Sequence, residues 1–370
     1  MTFLLGAGSI RIDVTVSRAL ACSVEVKASR PTGLARMFVG RRPEEAPVLA
    51  GQVFSLCGFS QSVAARLAVL NAADLPMPPE EHRAAVGGLL AERIFETLRA
   101  LILHWPWTLP AGIPASAGKC LREVLAASQT IISGAKGNIA DKEFVAAPTA
   151  RLVATAAALG VPESDGVPPK GTACAAMLRD IENDITFPGR RPDPLTAADD
   201  ADVIAHLSRE ANYSTLPHLS GRVAETGAYA RLGGAGMPNA PHLLQRFLAR
   251  LRDVRLCLQQ LSSLARQDQN DLSDLMAGGP TPGAGGFGAV ECARGRLYHQ
   301  AEIDRDGLLA AYRILAPTEW NFHPAGPFVE TLLSSRIGAG ESAVRSVSRL
   351  AVLFDPCVAF EVGIREAAHA

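Results

Sequence analysis

Residues 10–28 read IRIDVTVSRALACSVEVKA, an alternation of apolar and polar residues repeated on both sides of a short break. That period of two predicts an antiparallel strand pair with one buried face. From about Ser60 the spacing changes to apolar residues every three or four positions. Candidate helices are 60–72, 81–104, 119–133, 144–158, 172–183, 196–209, 241–269, 305–315 and 326–353, the last broken near Gly338 and Gly340. Segment 279–289, GPTPGAGGFGA, is too glycine-rich for either regular element and is expected to be a mobile loop. Ala289 to His299 reads as another short strand pair. The linkers at 160–171 and 184–195 are short. The expected fold class is therefore mainly α: one domain, 1–370, with a small antiparallel β subdomain from about 1–30 and 289–300.

The 370 residues are 48% hydrophobic and 20% charged, which excludes a disordered chain. Lys and Arg number 36 and Asp and Glu 37, so the near-zero net charge argues against nucleic acid as a partner. No apolar run approaches the roughly 18 residues a membrane helix needs. The start, MTFLLGAGSIRIDV, has no basic residue ahead of its apolar burst, which is only Phe3, Leu4 and Leu5, so it does not read as a signal peptide and a cytoplasmic location is expected.

Seven cysteines, Cys22, Cys57, Cys120, Cys174, Cys257, Cys292 and Cys357, form no C-x-x-C pair. The odd count and wide spacing argue against a disulfide framework and the common zinc motifs. Taken singly, each reads as a small core residue. Cys57 precedes the helix beginning near residue 60, where the helix dipole favours a thiolate. Cys357 follows Asp355-Pro356, and proline fixes the backbone before it. Arg294, in Glu291-Cys292-Ala293-Arg294-Gly295, has a glycine neighbour that lets a small anion approach. Thr318, after Pro317, either caps a helix or offers a hydroxyl to a ligand. His104, His299 and His323 stand at no metal-ligand spacing. Walker loops, nucleotide-binding glycine fingerprints and nucleophile elbows are absent.

Taken in order, these pieces resemble the large subunit of nickel–iron hydrogenases. That family carries an N-terminal C-G-x-C-x-x-x-H and a C-terminal D-P-C-x-x-C-x-x-H, whose four cysteines hold nickel and an iron bearing cyanide and carbon monoxide. Here the corresponding stretches begin at Cys57-Gly58 and Asp355-Pro356-Cys357. Glu291 to His299 follows E-A-P-R-G-x-L-x-H, and Pro317 to Asn321 follows P-[ST]-T-W-N. Gly221 to Arg231, GRVAETGAYAR, echoes a further family segment, and Arg11 to Val16 fits the first strand.

The departures are informative. The two metal-bridging cysteine positions are Ser60 and Phe360, so a four-thiolate bimetallic site cannot form. The proton-passing glutamate corresponds to Ala7, the magnesium-site residues to Ala35 and Gly363, and the cleavage signal after the C-terminal histidine is missing. Arg294, Pro317 and Thr318 match residues around the iron's cyanide ligands, while Cys57 and Cys357 remain as metal ligands and Cys292 as a candidate third donor.

This pattern is similar to the HupK/HoxV-type accessory proteins. The resemblance implies a non-catalytic scaffold that transiently holds iron with cyanide and carbon monoxide ligands, without nickel. It would pass that fragment toward the hydrogenase large subunit precursor, working with a small maturation chaperone and other maturation proteins. Two other readings stay open: a metal-free structural partner of the maturation complex, and an active hydrogenase with altered ligation.

Overall fold

The computed structural model describes residues 8–29, 33–54, 56–107, 114–137, 142–234, 239–266, 268, 273–283 and 285–367. The chain opens with β1 (Ser9–Ser17) and β2 (Leu20–Ser29). There follow α1 (Ala46–Val53), α2 (Gly58–Ala72), α3 (Pro79–His104), α4 (Ala115–Lys136), α5 (Lys142–Leu159) and α6 (Ala173–Ile181). Next come α7 (Asp200–Arg209), α8 (Ala228–Arg231) and α9 (His242–Arg266), then strands β3 (Met276–Thr281), β4 (Gly285–Cys292), β5 (Gly295–Ile303) and β6 (Leu309–Leu315). Last are α10 (Pro317–Asn321), α11 (Pro327–Leu333), α12 (Gly340–Phe354) and β7 (Ala359–Glu366).

Local chemistry sets several boundaries. Pro79 starts α3 with Glu80 and Glu81 in its first turn, where the missing N–H costs nothing and negative charge suits the dipole. Thr172 caps α6 by accepting the Ala175 N–H at 3.2 Å. The alternation of β1 buries Ile10, Ile12, Val14 and Val16 in the main core, as the period of two requires. Helices α3 and α9 run through that core, whose apolar residues include Leu89, Leu90, Ile94, Leu98, Phe247 and Leu251. Among the described residues, no helix is long and apolar enough to cross a membrane.

Three expectations need correction. The strands belong to two separate sheets, β2-β1-β7 and β3-β4-β5-β6, not to one β subdomain from 1–30 and 289–300. The C-terminal β7 pairs in parallel with β1, Ile10 opposite Phe360 and Asp13 opposite Gly363. Segment 305–315 is not a helix: Leu309–Leu315 is strand β6, antiparallel to β5. Its buried residues Leu309, Tyr312 and Leu315 stand three apart, which imitates helical spacing.

Most of the glycine-rich segment is strand, not loop: β3 takes it up to Thr281 and β4 from Gly285 on. Gly278, Gly286 and Gly288 lie inside the β3–β4 hairpin because α2 lies against that face. A Cβ on Gly288 would stand 2.3 Å from the Ala64 carbonyl oxygen, and one on Gly286 would stand 2.2 Å from the Ala72 nitrogen. The glycines thus set how closely helix and sheet approach, which fixes α2 and Cys57 at its start. Gly288→Ala is expected to destabilise the protein by about 1–3 kcal/mol in urea unfolding. Gly166→Ala, with open space around it, should change stability by less than about 0.5 kcal/mol. Equal effects would disprove the close-approach account.

Candidate functional site

Five sequence-distant segments converge near the start of α2. Arg294 occupies the tight turn between β4 and β5 and is 2% exposed. Its Nη2 donates to Glu96 Oε2 at 3.1 Å, and its Nε lies 3.5 Å from Asp355 Oδ1. Each carboxylate is shared with a second arginine. Arg99 Nη2 donates to Glu96 Oε2 at 2.9 Å, and Arg250 Nη2 donates to Asp355 Oδ2 at 2.9 Å. Three guanidiniums therefore share two carboxylates, and one positive charge is left over. Arg294 Nη1 and Nε and Asp355 Oδ1 are buried without hydrogen-bond partners. An unpaired buried donor is costly, so a cationic edge left open in this way favours a small anion. A narrow cavity lined by Thr226, Gly227, Arg250, Arg294, Asn321 and Asp355 adjoins it.

Cys57 is the N-cap residue of α2 and is half-buried. Gln61, one turn on, donates its Nε2–H toward the Cys57 sulfur at 3.6 Å. Its Oε1 accepts from His299 Nε2 at 2.7 Å, and His299 Nδ1 lies 2.7 Å from the Tyr312 hydroxyl. An amide oxygen only accepts, so His299 carries its proton on Nε2 and Nδ1 accepts from Tyr312. Burial pushes the His299 imidazole down to about 3, so it is neutral. Burial, then the neighbouring Cys292 thiol, push the Cys57 thiol up against the pull of Arg294. Cys292 ends β4, fully buried, and burial pushes its thiol up to about 11.

Cys357 lies between α12 and β7, half-buried, with its sulfur 3.7 Å from the Thr318 Oγ1. Ala316, not Thr318, occupies the N-cap of α10, so the capping reading of Thr318 falls. Pro317 is the buried first residue of that helix. Asn321 ties α10 to the 221–231 segment: its Oδ1 accepts the Thr226 N–H and its Nδ2 donates to the Thr226 carbonyl, both at 3.0 Å. Arg231 in turn donates to Glu291 Oε2 at 2.7 Å and to the Cys292 carbonyl at 3.0 Å. The sulfurs of Cys57, Cys292 and Cys357 do not all lie within 4.8 Å of one another.

The replaced positions are committed elsewhere. Ser60 donates its hydroxyl and backbone N–H to Glu92, as Phe59 N does at 2.8 Å. Burial raises the Glu92 carboxyl, and the Ser60 hydrogen bonds oppose that rise. Phe360 lies in β7, partly buried against the main core. A Cβ on Gly363 would meet Asp13 Oδ1 at 2.7 Å. Ala35 is half-buried in a short helical turn, Leu34–Phe38, and Ala7 lies outside the described residues. Of the other cysteines, Cys174 and Cys257 are buried, but Cys120 is half-buried and Cys22 exposed, its thiol directed to the Thr15 carbonyl.

Residues 244–362 match the nickel-dependent hydrogenase family. Over all 370 residues of both proteins, the chain is 70% identical to hydrogenase expression/formation protein HupK of Rhizobium leguminosarum bv. viciae. It is 32% identical to HupK of Bradyrhizobium diazoefficiens over 366 residues, 97% of this chain and 98% of that one. The chain belongs to the HupK/HoxV hydrogenase expression/formation proteins. Its fold is that of the nickel–iron hydrogenase large subunit. A solved NiFeSe hydrogenase from Dm. baculatum superposes with a TM-score of 0.64 at 14% identity, covering 93% of this chain and 94% of that one.

Within this HupK/HoxV chain, the missed site residues are Gln61, Glu92, Glu96, Arg99 and Arg250. One signal was available for three of them: Glu92, Glu96 and Arg99 recur at i, i+4 and i+7 in α3, among its apolar residues Leu89 to Ile102. His299 lacks metal-ligand spacing yet reaches the Cys57 sulfur through Gln61.

Arg294→Ala should cost about 1–3 kcal/mol in urea unfolding, because Glu96 and Asp355 keep Arg99 and Arg250 but lose their buried contacts with Arg294. A loss below about 1 kcal/mol would refute that account. Burial favours the neutral form of Asp355, but Arg294 and Arg250 outweigh it and hold its carboxyl below the usual range. Its contribution is therefore complete above the ordinary carboxylate pKa of about 4 and lost as pH falls through the folded value. Asp355→Asn should be less stable at neutral pH, with a shallower loss on acidification. Iodoacetamide should modify exposed Cys22 well before Cys57 or Cys292, because the thiolate is the reactive form; mass spectrometry over a time course would show the order.

Proposed function

We propose that this protein is a non-catalytic scaffold of hydrogenase maturation that holds iron carrying cyanide and carbon monoxide and passes it toward the large subunit precursor. The observation that carries the reading is the buried Arg294 edge, a cation in surplus with Nη1 unpaired, among segments bearing two half-buried thiols. Cys57 and Cys357 supply thiolates to the iron. Gln61 Nε2–H steadies the Cys57 sulfur, and the Thr318 hydroxyl lies beside Cys357. Two cyanides and two thiolates bring four negative charges, more than a divalent iron ion offsets. The surplus guanidinium charge and its open N–H edge suit a cyanide nitrogen. Pro317 closes the site as an apolar wall, and Cys292 is the candidate third sulfur.

Two features suit a carrier and not a hydrogenase. Ser60 is bound to Glu92, and Phe360 has no donor atom, so the positions that would bridge a second metal offer no thiolate. Release is favoured by fewer sulfur bonds. The raised Cys57 thiol adds a sign: iron must displace its proton, so capture strengthens as pH rises. The small maturation chaperone and other maturation proteins are the proposed partners, in keeping with what the HupK relatives are named for.

Infrared spectra of the protein, purified without oxygen from cells with a complete maturation system, should show cyanide and carbonyl bands. Cys57→Ala and Cys357→Ala should each lose them, and Arg294→Lys should shift the cyanide bands. Cys292→Ser tests the third donor, through loss or shift of the carbonyl band. A wild-type protein without bands, or bands surviving in both alanine variants, would end the proposal.

A further inference from the structure

Outside this site, the end of α7 and the loop after it bring together His206, Glu210 and His218. His206 Nδ1 lies 2.5 Å from Glu210 Oε1, and His218 Nε2 lies 3.1 Å from Glu210 Oε2. One ligand atom from each of the three groups lies within 4.8 Å of the others, the one such group of histidine, cysteine or acidic side chains among the described residues. All three are between a third and a half exposed, so an ion can reach them.

Geometry and charge both point to a cation. His206 and Glu210 stand one helical turn apart, which places their side chains on one face. Glu210 caps the end of α7, its N–H donating to the His206 carbonyl at 2.9 Å. His218 comes from eight residues further on, and Tyr213 holds it by donating its hydroxyl to the His218 carbonyl at 2.8 Å. The buried Tyr213 ring also stacks on His206, at 5.2 Å, and meets the His218 ring edge-on at 5.5 Å. Among the described residues, Glu210 has no arginine or lysine partner. The two imidazoles are its ion-pair partners, so the carboxylate and both ring nitrogens face one another across a single small space. Two imidazole nitrogens and one carboxylate oxygen are the donor set of a catalytic-type zinc site, with a coordination position left for water.

We propose that His206, Glu210 and His218 form a binding site for one first-row divalent ion of the zinc class, separate from the thiol site. The ion takes the place of the hydrogen bonds that now link the three side chains, and any proton on a ligating imidazole nitrogen passes to the other ring nitrogen or to water. It thereby fastens the loop from Glu210 to His218. That loop bears on the thiol site at one remove: Tyr213 packs edge-on against the fully buried Trp320 at 6.3 Å, and Trp320 belongs to α10 with Thr318.

The test uses tag-free, full-length protein stripped with a chelator and titrated with zinc chloride by calorimetry. A Cys57→Ala/Cys357→Ala variant removes the thiols from the count, and it should still bind one equivalent of zinc. In that background His206→Gln, Glu210→Gln and His218→Gln should each weaken zinc by at least about tenfold, no less than losing an outer-shell partner costs. Zinc should raise the Tm of the parent and slow amide hydrogen exchange across 210–218, and do neither in His206→Gln. Zinc binding that vanishes with the two cysteines, that is unaffected by all three substitutions, or that is undetectable in the parent would each overturn the proposal.

Discussion

The buried charge balance at Arg294 constrains everything around it. Three arginines against two carboxylates cannot be buried unless each is held by a rigid element, because an unpaired charge in the interior is far costlier than a paired one gains. The protein meets this by drawing the charges from two long helices and from the end of a third. Glu96 and Arg99 come from α3, Arg250 from α9, and Asp355 from the end of α12. Arg294 comes from the turn between β4 and β5. Helices and sheet are thereby pinned to a common point, and the thiols are placed by the same frame.

A second consequence follows for Ser60. In a site built around four sulfurs, the first turn of α2 would present two ligands. Here Glu92 receives the Ser60 hydroxyl together with the first free N–H groups of that helix. The carboxylate thus satisfies the helix start, and the Cys57 sulfur is served instead by Gln61 from the next turn. Ser60 is thereby committed to Glu92 through both its hydroxyl and its backbone N–H.

Much of the architecture is legible in the sequence because periodicity reports one-sided burial: β1, α3 and α9 announce themselves. Two misreadings share a cause. The glycines of 279–289 look like loop composition, yet Gly286 and Gly288 are small because α2 presses on them. Leu309, Tyr312 and Leu315 mimic a helix, yet the β5 edge takes them as a strand. Both facts belong to the partner surface and not to the segment itself. The site divides in the same way. Cys57, Arg294, Thr318 and Cys357 stand in short motifs, whereas Gln61, Glu92 and Arg250 act through partners between 32 and 238 residues away that no local pattern marks.

The parallel ladder between β1 and β7 has a mechanical meaning. Cys357 sits on a short tether, with α12 ending at Phe354 on one side and β7 starting at Ala359 on the other. The ladder runs from Ser9–Ala359 to Val16–Glu366, and its bonds are loaded together instead of one by one. Slack therefore cannot reach Cys357 from the C-terminal side without peeling the strand, which would strip β1 of a neighbour and expose an edge open to foreign strands. The sulfur is strung like a bead on a taut wire, free to turn about its own bonds but not to travel.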